Sequence, residues 1–292
     1  QDLYNWEDMG IIIPPCPDDP KSSLHPNSKM DRPHILYNKK KDMFVCWLKI
    51  MEPNGRQTQT ILTAKSILGP YTLVKEGLQP LGMNGGDFDF AVDENGKAYY
   101  YFERPHTELI CAELTEDYTD VTGVYSVHFA GKQPPMTREA PAHFIRRGKH
   151  YLLTSGTTGK FPNPSEVALA KDFHGPFTVL GDPHPADPSR TSYHSQISCV
   201  LKVEGKKDLY IACADRWRPQ QMELQYEDYA KLLWEAFDMS APEQKRKEAE
   251  RKLTELPKAY TREADYVWLP LRFDGDMVYL DWKDTWKLSD YQ

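Results

Sequence analysis

Hydrophobic and polar positions repeat along this chain in a unit of about 50 residues. Each unit opens on a polar or acidic residue and continues through an apolar run, a charged turn and a second apolar run. The leading residues are Asp31, Asp87, Glu139 and Gln196, at intervals of 56, 52 and 57. The first runs are His34-Ile-Leu-Tyr37, Phe88-Asp-Phe-Ala-Val92, Ala142-His-Phe-Ile145 and Ile197-Ser-Cys-Val-Leu201. The second runs are Met43-Phe-Val-Cys-Trp47, Ala98-Tyr-Tyr-Tyr-Phe102, His150-Tyr-Leu-Leu153 and Leu209-Tyr-Ile-Ala-Cys213. Short strands repeating at that length predict the four-stranded blades of a β-propeller. A leading residue in the same register of every blade would bring one polar group per blade toward a common axis.

Further strands complete each unit. Ile61-Leu-Thr-Ala-Lys-Ser66 leads to Gly69-Pro-Tyr-Thr72, and Val167-Ala-Leu-Ala-Lys-Asp172 leads to Gly175-Pro-Phe-Thr178, the same motif 106 residues later. Leu109-Ile-Cys-Ala-Glu-Leu114 is the matching third strand between them, and Tyr266–Leu271 with Met277–Trp282 closes the last blade. Asp2–Glu7 and Gly10–Ile13 read as the outer half of another blade. The expected fold is therefore an all-β, five-bladed β-propeller over 1–292, its first blade incomplete in this chain. A four-bladed propeller with an N-terminal tail is the alternative. Residues 219–262 break the pattern: apolar positions at near-helical spacing up to Phe237, then Ser240-Ala-Pro-Glu243 as a capping box for a charged helix. This helical insertion, between strands two and three of the last blade, belongs on the face that carries the four leading residues. Lid, subsite wall and neutral decoration are its possible roles.

Composition narrows the function. A chain of 292 residues, 40% hydrophobic, can bury a large core. The net charge of −7 and the lack of a basic, aromatic-interleaved stretch argue against nucleic acid as a partner. No apolar run reaches membrane-spanning length. Cys16, Cys46, Cys111, Cys199 and Cys213 form no Cys-X-X-Cys pair, and four lie in expected strands, where buried free thiols are the reading. No His, Cys and Glu cluster has zinc-site spacing, and no metal or cofactor is implied. Most of the 17 Tyr and 7 Trp are explained by strand packing, while aromatic faces also suit sugar stacking. The chain opens at Gln1 without Met or a signal-peptide pattern, which reads as a processed form or a piece of a longer protein.

Two carboxyl-type groups flanking a glycosidic bond are the usual equipment of glycosidases, one protonating the leaving oxygen and one activating water or attacking carbon. A third carboxylate nearby raises the acid's pKa. Asp31, Asp87 and Glu139 can supply these groups; singly, each could equally be a turn residue or strand cap. The same residues carry a resemblance. Asp31-Arg-Pro-His-Ile-Leu-Tyr-Asn38, Thr137-Arg-Glu-Ala-Pro-Ala142, Leu152-Leu-Thr-Ser-Gly-Thr-Thr-Gly159, Pro162-Asn163, His194-Ser-Gln-Ile-Ser198, Ala214-Asp-Arg-Trp217 and Tyr266-Val-Trp-Leu-Pro-Leu271 are similar to glycoside hydrolase family 43. The branch containing the exo-β-1,3-galactanases is the nearest match, over nearly the whole chain outside the insertion.

The resemblance implies a five-bladed propeller and an inverting mechanism, with Glu139 as general acid, Gln196 in place of the usual Asp base, and Asp87 tuning the acid and orienting substrate. It implies exo-acting release of galactose from β-1,3-galactan or arabinogalactan-type plant glycans. The substrate would be an oligosaccharide or polysaccharide met outside the cell or in the periplasm. An α-L-arabinofuranosidase or other family 43 glycosidase, and a propeller that binds glycan without cutting it, are the alternatives. Sugar-contacting candidates are Asp31, Glu103, His194, Asp215, Arg216 and Trp217. Each has a structural reading too: hydrogen bonding before a strand for His194, pairing with a carboxylate for Arg216. Departures from the family pattern fall on the expected site face. Asp31 replaces a longer Glu, Gly86 replaces an Arg, Lys160 and Phe161 replace a Trp, and Glu103-Arg-Pro-His106 replaces Ser-Glu-Asp. The His-Gly-Gly string of most members is missing. If Gln196 serves as base, a separation from Glu139 of roughly 6.5–9.5 Å is expected, to leave room for water.

Overall fold

The computed structural model describes residues 2–217, 224–256 and 264–292. Contacts divide the chain into two compact units: Gln1–Pro105 with Ile110–Ser126, and His106–Leu109 with Val127–Gln292.

The first unit holds two four-stranded antiparallel sheets, each in simple sequence order. One comprises β1 (Lys29–Asn38), β2 (Met43–Met51), β3 (Gln57–Ala64) and β4 (Thr72–Leu78). The other comprises β5 (Phe88–Val92), β6 (Ala98–Arg104), β7 (Glu108–Leu114) and β8 (Val121–His128). Strands β2 and β6 are covered on both faces, so they read as continuous apolar runs rather than alternating ones. Trp47, Ile61, Phe88, Phe90, Tyr100, Phe102 and Ile110 form the core of this unit. The Trp47 indole N–H donates to the Tyr118 carbonyl at 2.8 Å, which satisfies the one polar atom of a fully buried ring.

In the second unit β9 (Arg138–Arg146), β10 (Lys149–Gly156), β11 (Ser165–Ala170) and β12 (Thr178–Gly181) form a third four-stranded sheet. Strands β13 (Ser195–Lys202), β14 (Tyr210–Arg216) and β15 (Asp265–Pro270) form a three-stranded one. Phe144, Tyr151, Leu153, Val167, Ile197, Ala212 and Leu269 share its core, with Phe144 stacked on Tyr151 at 4.8 Å. Helices α1 (Tyr226–Phe237) and α2 (Glu243–Glu255) lie between β14 and β15, where the helical insertion was expected. The outer stretches of the insertion expected over 219–262, residues 219–223 and 257–262, fall outside the described residues.

Three expectations change. Met277–Tyr279 does not join the last sheet; as β17 it pairs with β16 (Arg272–Asp274) in a separate hairpin. Leu271 still donates its N–H to the Tyr210 carbonyl at 2.8 Å, and the chain turns back only at Gly275–Asp276, between β16 and β17. Residues 2–28 contain no strand, so the described residues carry four blade sheets and no outer half-blade. The capping box also fails: the Ser240 hydroxyl bonds Asp238, and α2 starts after Pro242 with no side-chain cap. None of the five cysteines is in a disulfide, and Cys46, Cys111 and Cys213 are buried.

Candidate active site

In the first unit the leading ends of β1 and β5 carry a compact ionic cluster. Asp31 lies opposite Lys49 in the β1–β2 register, and a bulge follows it. Arg32 takes the left-handed conformation (φ 52°) at that bulge, which reaims its side chain. Its guanidinium meets Asp87 at 3.1 Å, while the Lys49 ammonium meets Asp87 at 2.6 Å and Asp31 at 3.0 Å. Burial alone would raise the Asp87 pKa, but the Arg32 and Lys49 charges override it and hold the carboxyl well below the ordinary range. Asp87 is thus a fixed anion. Asp31 is half-exposed, its side chain 53% open to solvent, so its shorter reach leaves it on the wet rim of the cluster. His34, beside Asp89 at 3.4 Å, is pushed by burial and then by Arg32 down to about 4, so that contact is a neutral hydrogen-bonding one.

Glu103 is buried and faces Asp87 across the extension of β5 and β6, its backbone N–H donating to the Asp87 carbonyl at 2.8 Å. The neighbouring glycine follows from this. A Cβ on Gly86 would run into the Glu103 carboxylate and stand 3.1 Å from the Glu103 carbonyl oxygen. The Gly86 and Glu103 departures are therefore one coupled change: the buried carboxylate occupies the space that a side chain at 86 needs.

In the second unit Glu139 sits at the entrance of β9, opposite Ser155 on β10. A register shift between Leu153 and Ser155, with Ala140 at φ 48°, marks a bulge just after the carboxylate. Left-handed backbone at a non-glycine costs about 1–2 kcal/mol, which the surrounding ladder must offset. The Gln196 amide nitrogen donates to Glu139 Oε1 at 3.1 Å and to Ser155 Oγ at 2.9 Å. Without a sugar between them the two groups stand closer than the roughly 6.5–9.5 Å expected across a bound substrate and water. Strands β9 and β13 pack side by side, and the two side chains touch with no space between them for water.

The turn ahead of Gln196 is strained. Ser192, Tyr193 and His194 all have positive φ, between 55° and 60°. The Asp187 carboxylate holds this turn by accepting the backbone N–H groups of Ser189, Thr191 and Tyr193. Ser192 Oγ staples it to β11 by accepting the Ser165 N–H at 2.9 Å. His194 is half-buried in the turn; burial lowers its pKa, and its carbonyl accepts the Trp217 N–H. Trp217 is buried and its indole N–H is engaged by Asp215 at 2.9 Å. Arg216 donates to the Tyr193 carbonyl and lies over the Trp282 ring. Asp215, Arg216 and Trp217 thus brace the turn rather than present an open stacking surface.

Helix α1 rests on the loop that follows β10. Tyr229 stacks on Phe161 at 4.3 Å and 10°, and its hydroxyl donates to the Thr158 carbonyl at 3.1 Å. The insertion therefore shares the face on which Ser155 and Glu139 end their strands.

The family model for glycosyl hydrolases family 43 matches residues 1–216, nearly three quarters of the sequence. The chain belongs to glycosyl hydrolase family 43. A solved family 43 β-1,3-galactosidase aligns over 99% of this chain and 53% of its own, with 25% identity and a TM-score of 0.78. A second, solved with galactodeoxynojirimycin, aligns over 98% of this chain and 84% of its own at 24% identity and TM-score 0.75. An exo-β-1,3-galactanase from Phanerochaete chrysosporium, solved with galactose, aligns over 96% and 54% at 23% identity and TM-score 0.72. The chain thus spans about half the length of the first and third of these proteins. No curated protein matches it. The alignments show the fold: the four sheets are blades of a β-propeller, with two helices near the C-terminus. Among the described residues no helix is long and apolar enough to cross a membrane.

Reading the family 43 motifs did not single out Arg32, Lys49, Ser155 or Tyr229. Lys49 had a signal, as the lone charge in the apolar run Met43–Met51. Arg32 lies inside the motif that begins at Asp31 and carries no signal separate from it. Ser155 had none, because a small hydroxyl within a strand is ordinary. Tyr229 gave only the helical spacing of its neighbours.

Proposed function

We propose that this chain is an exo-acting, inverting family 43 glycosidase that releases galactose from β-1,3-galactan or arabinogalactan-type plant glycans, outside the cell or in the periplasm. The observation that carries the reading is the Glu139–Gln196 pair at the ends of neighbouring strands β9 and β13. A carboxyl group beside an amide has the composition of the galactanase branch's acid and its partner. The names of the similar solved proteins point to the same sugar.

In this mechanism Glu139 protonates the leaving oxygen while Gln196 orients the attacking water on the opposite face of the sugar; the water releases its proton to solvent as it bonds to carbon, and Glu139 is reprotonated from solvent. Inversion then requires the sugar to part the two side chains from 3.1 Å to roughly 6.5–9.5 Å. Asp87 enters as a fixed anion, the state a tuning carboxylate needs. Glu139→Gln should lower turnover of β-1,3-linked galactooligosaccharides by roughly 10²–10⁴. Turnover near that of the unaltered enzyme on this unactivated substrate would refute the acid role. Proton NMR of the first-formed sugar should show the inverted anomer, and retention would overturn the mechanism. Gln196→Ala should lower kcat far more than it raises KM; a change in KM alone would reduce Gln196 to a substrate contact.

A further inference from the structure

We propose that Ser155 is the positioning residue for Gln196. The inference rests on the functional reading above, because it concerns the second group of the same site.

The Gln196 amide has two N–H donors, and both are spent: one on Glu139 Oε1 at 3.1 Å, one on Ser155 Oγ at 2.9 Å. Two bonds at one nitrogen fix the plane of the amide. The two anchors differ in one respect. Glu139 gives up and regains a proton in the proposed reaction, so its acceptor strength changes within each turnover. The Ser155 hydroxyl does not titrate, and it can accept from Gln196 in either state of the acid.

The strand that carries Ser155 suits it to this task. β10 is central in its sheet, paired to β9 and to β11, with Ser155 opposite Glu139 on one side and Ser165 on the other. Ser155 is buried, which limits the rotamers open to its hydroxyl. The next residue seals the strand end: a Cβ on Gly156 would stand 2.6 Å from the Pro135 carbonyl oxygen, and Asn163 bonds both the Gly156 N–H and its carbonyl. The bulge between Leu153 and Ser155 brings the hydroxyl level with the carboxylate. A regular ladder continued from the Leu153–Ala142 pair would set Gly156, which has no side chain, opposite Glu139. Rigid support of this kind is what a side chain needs to be held in productive geometry.

The test compares Ser155→Ala, Ser155→Cys and Ser155→Thr on a β-1,3-galactooligosaccharide, with the Gln196 side-chain amide followed by nitrogen-15 NMR in the same proteins. Removing one neutral hydrogen bond should lower kcat roughly 3–10-fold in the Ala and Cys variants with KM unchanged. Thr, which keeps the hydroxyl, should restore most of kcat. The Gln196 amide protons should exchange with solvent faster in Ala and Cys than in Thr. Cys nearly keeps the volume of Ser, so it tests the hydrogen bond where the Ala variant folds poorly. Unchanged kcat in both Ala and Cys, a loss in KM alone, or failure of a folded Thr variant to recover would overturn the proposal. If the unaltered enzyme does not cleave galactooligosaccharides, the functional reading fails instead. Amide exchange then still decides whether Ser155 holds Gln196.

Discussion

Lys49→Met tests whether the ionic cluster of the first unit is a source of stability as well as charge. Met nearly keeps the aliphatic bulk of Lys, so cavity formation is a small part of the effect. What is lost is an ammonium bonded to Asp87 at 2.6 Å and to Asp31 at 3.0 Å. Asp31 is half-exposed, and an ion pair with such a partner contributes about 0–1 kcal/mol. Asp87 is nearly closed off from water, and stripping a partner from a buried charge costs about 3–5 kcal/mol. Arg32 stays at 3.1 Å as the remaining cation, which puts the expected loss near the lower end, about 3 kcal/mol.

The pH dependence gives a second handle on the same variant. A carboxyl whose folded pKa is depressed contributes stability above its unfolded value near 3.8 and loses it as pH falls through the folded value. Without Lys49 the Asp87 pKa moves upward, so the variant takes up its proton earlier and its deficit narrows in acid. Urea unfolding followed by tryptophan fluorescence at neutral and acidic pH measures both quantities. Adding Asp87→Asn to Lys49→Met should recover part of the loss, since no unpaired charge then remains. A loss below about 1 kcal/mol at neutral pH, the worth of a surface pair, would refute the reasoning, as would a deficit that widens in acid.

Two further outcomes follow from the second unit. His143 is buried against His150 at 3.2 Å, and burial, then the neighbouring ring, holds it at about 3 against an ordinary 6.5. Its neutral form supports the fold fully above pH 6.5, and that support drains away as pH falls toward 3. His143→Asn should therefore flatten the fall of Tm below pH 6.5, and an unchanged slope would assign the acid sensitivity to other groups. Tyr229→Ala removes the Phe161 stack, worth about 0.5–1.5 kcal/mol beyond burial, and the bond to Thr158. Amide hydrogen exchange in α1 should quicken while that of β9 and β10 stays slow; equal rates in α1 would mean that other contacts hold the insertion.

Periodicity by itself determined much about this protein. Apolar runs separated by charged turns can only be short paired strands, and their recurrence near 50 residues placed the sheets and the register of Asp87 and Glu139 at strand entrances. The helical spacing before Phe237 likewise placed the insertion between β14 and β15. These are properties of neighbours along the chain, and a sequence displays them openly. Tertiary structure decided what depends on residues distant in sequence. β17 pairs with β16 across the turn at Gly275–Asp276, an outcome that the apolar pattern of Met277–Tyr279 does not encode. Ser240 donates its hydroxyl to Asp238 and accepts no N–H from α2, which begins after Pro242. Gln196 touches Glu139 because β9 and β13 lie side by side with bulges that shift their side chains by a register step. Such a step is a matter of a few ångströms, and it separates a water-filled gap from a hydrogen bond. Arg32 and Lys49 keep Asp87 an anion for the same reason: the charges that set its pKa arrive from 55 and 38 residues away, through a fold rather than a motif.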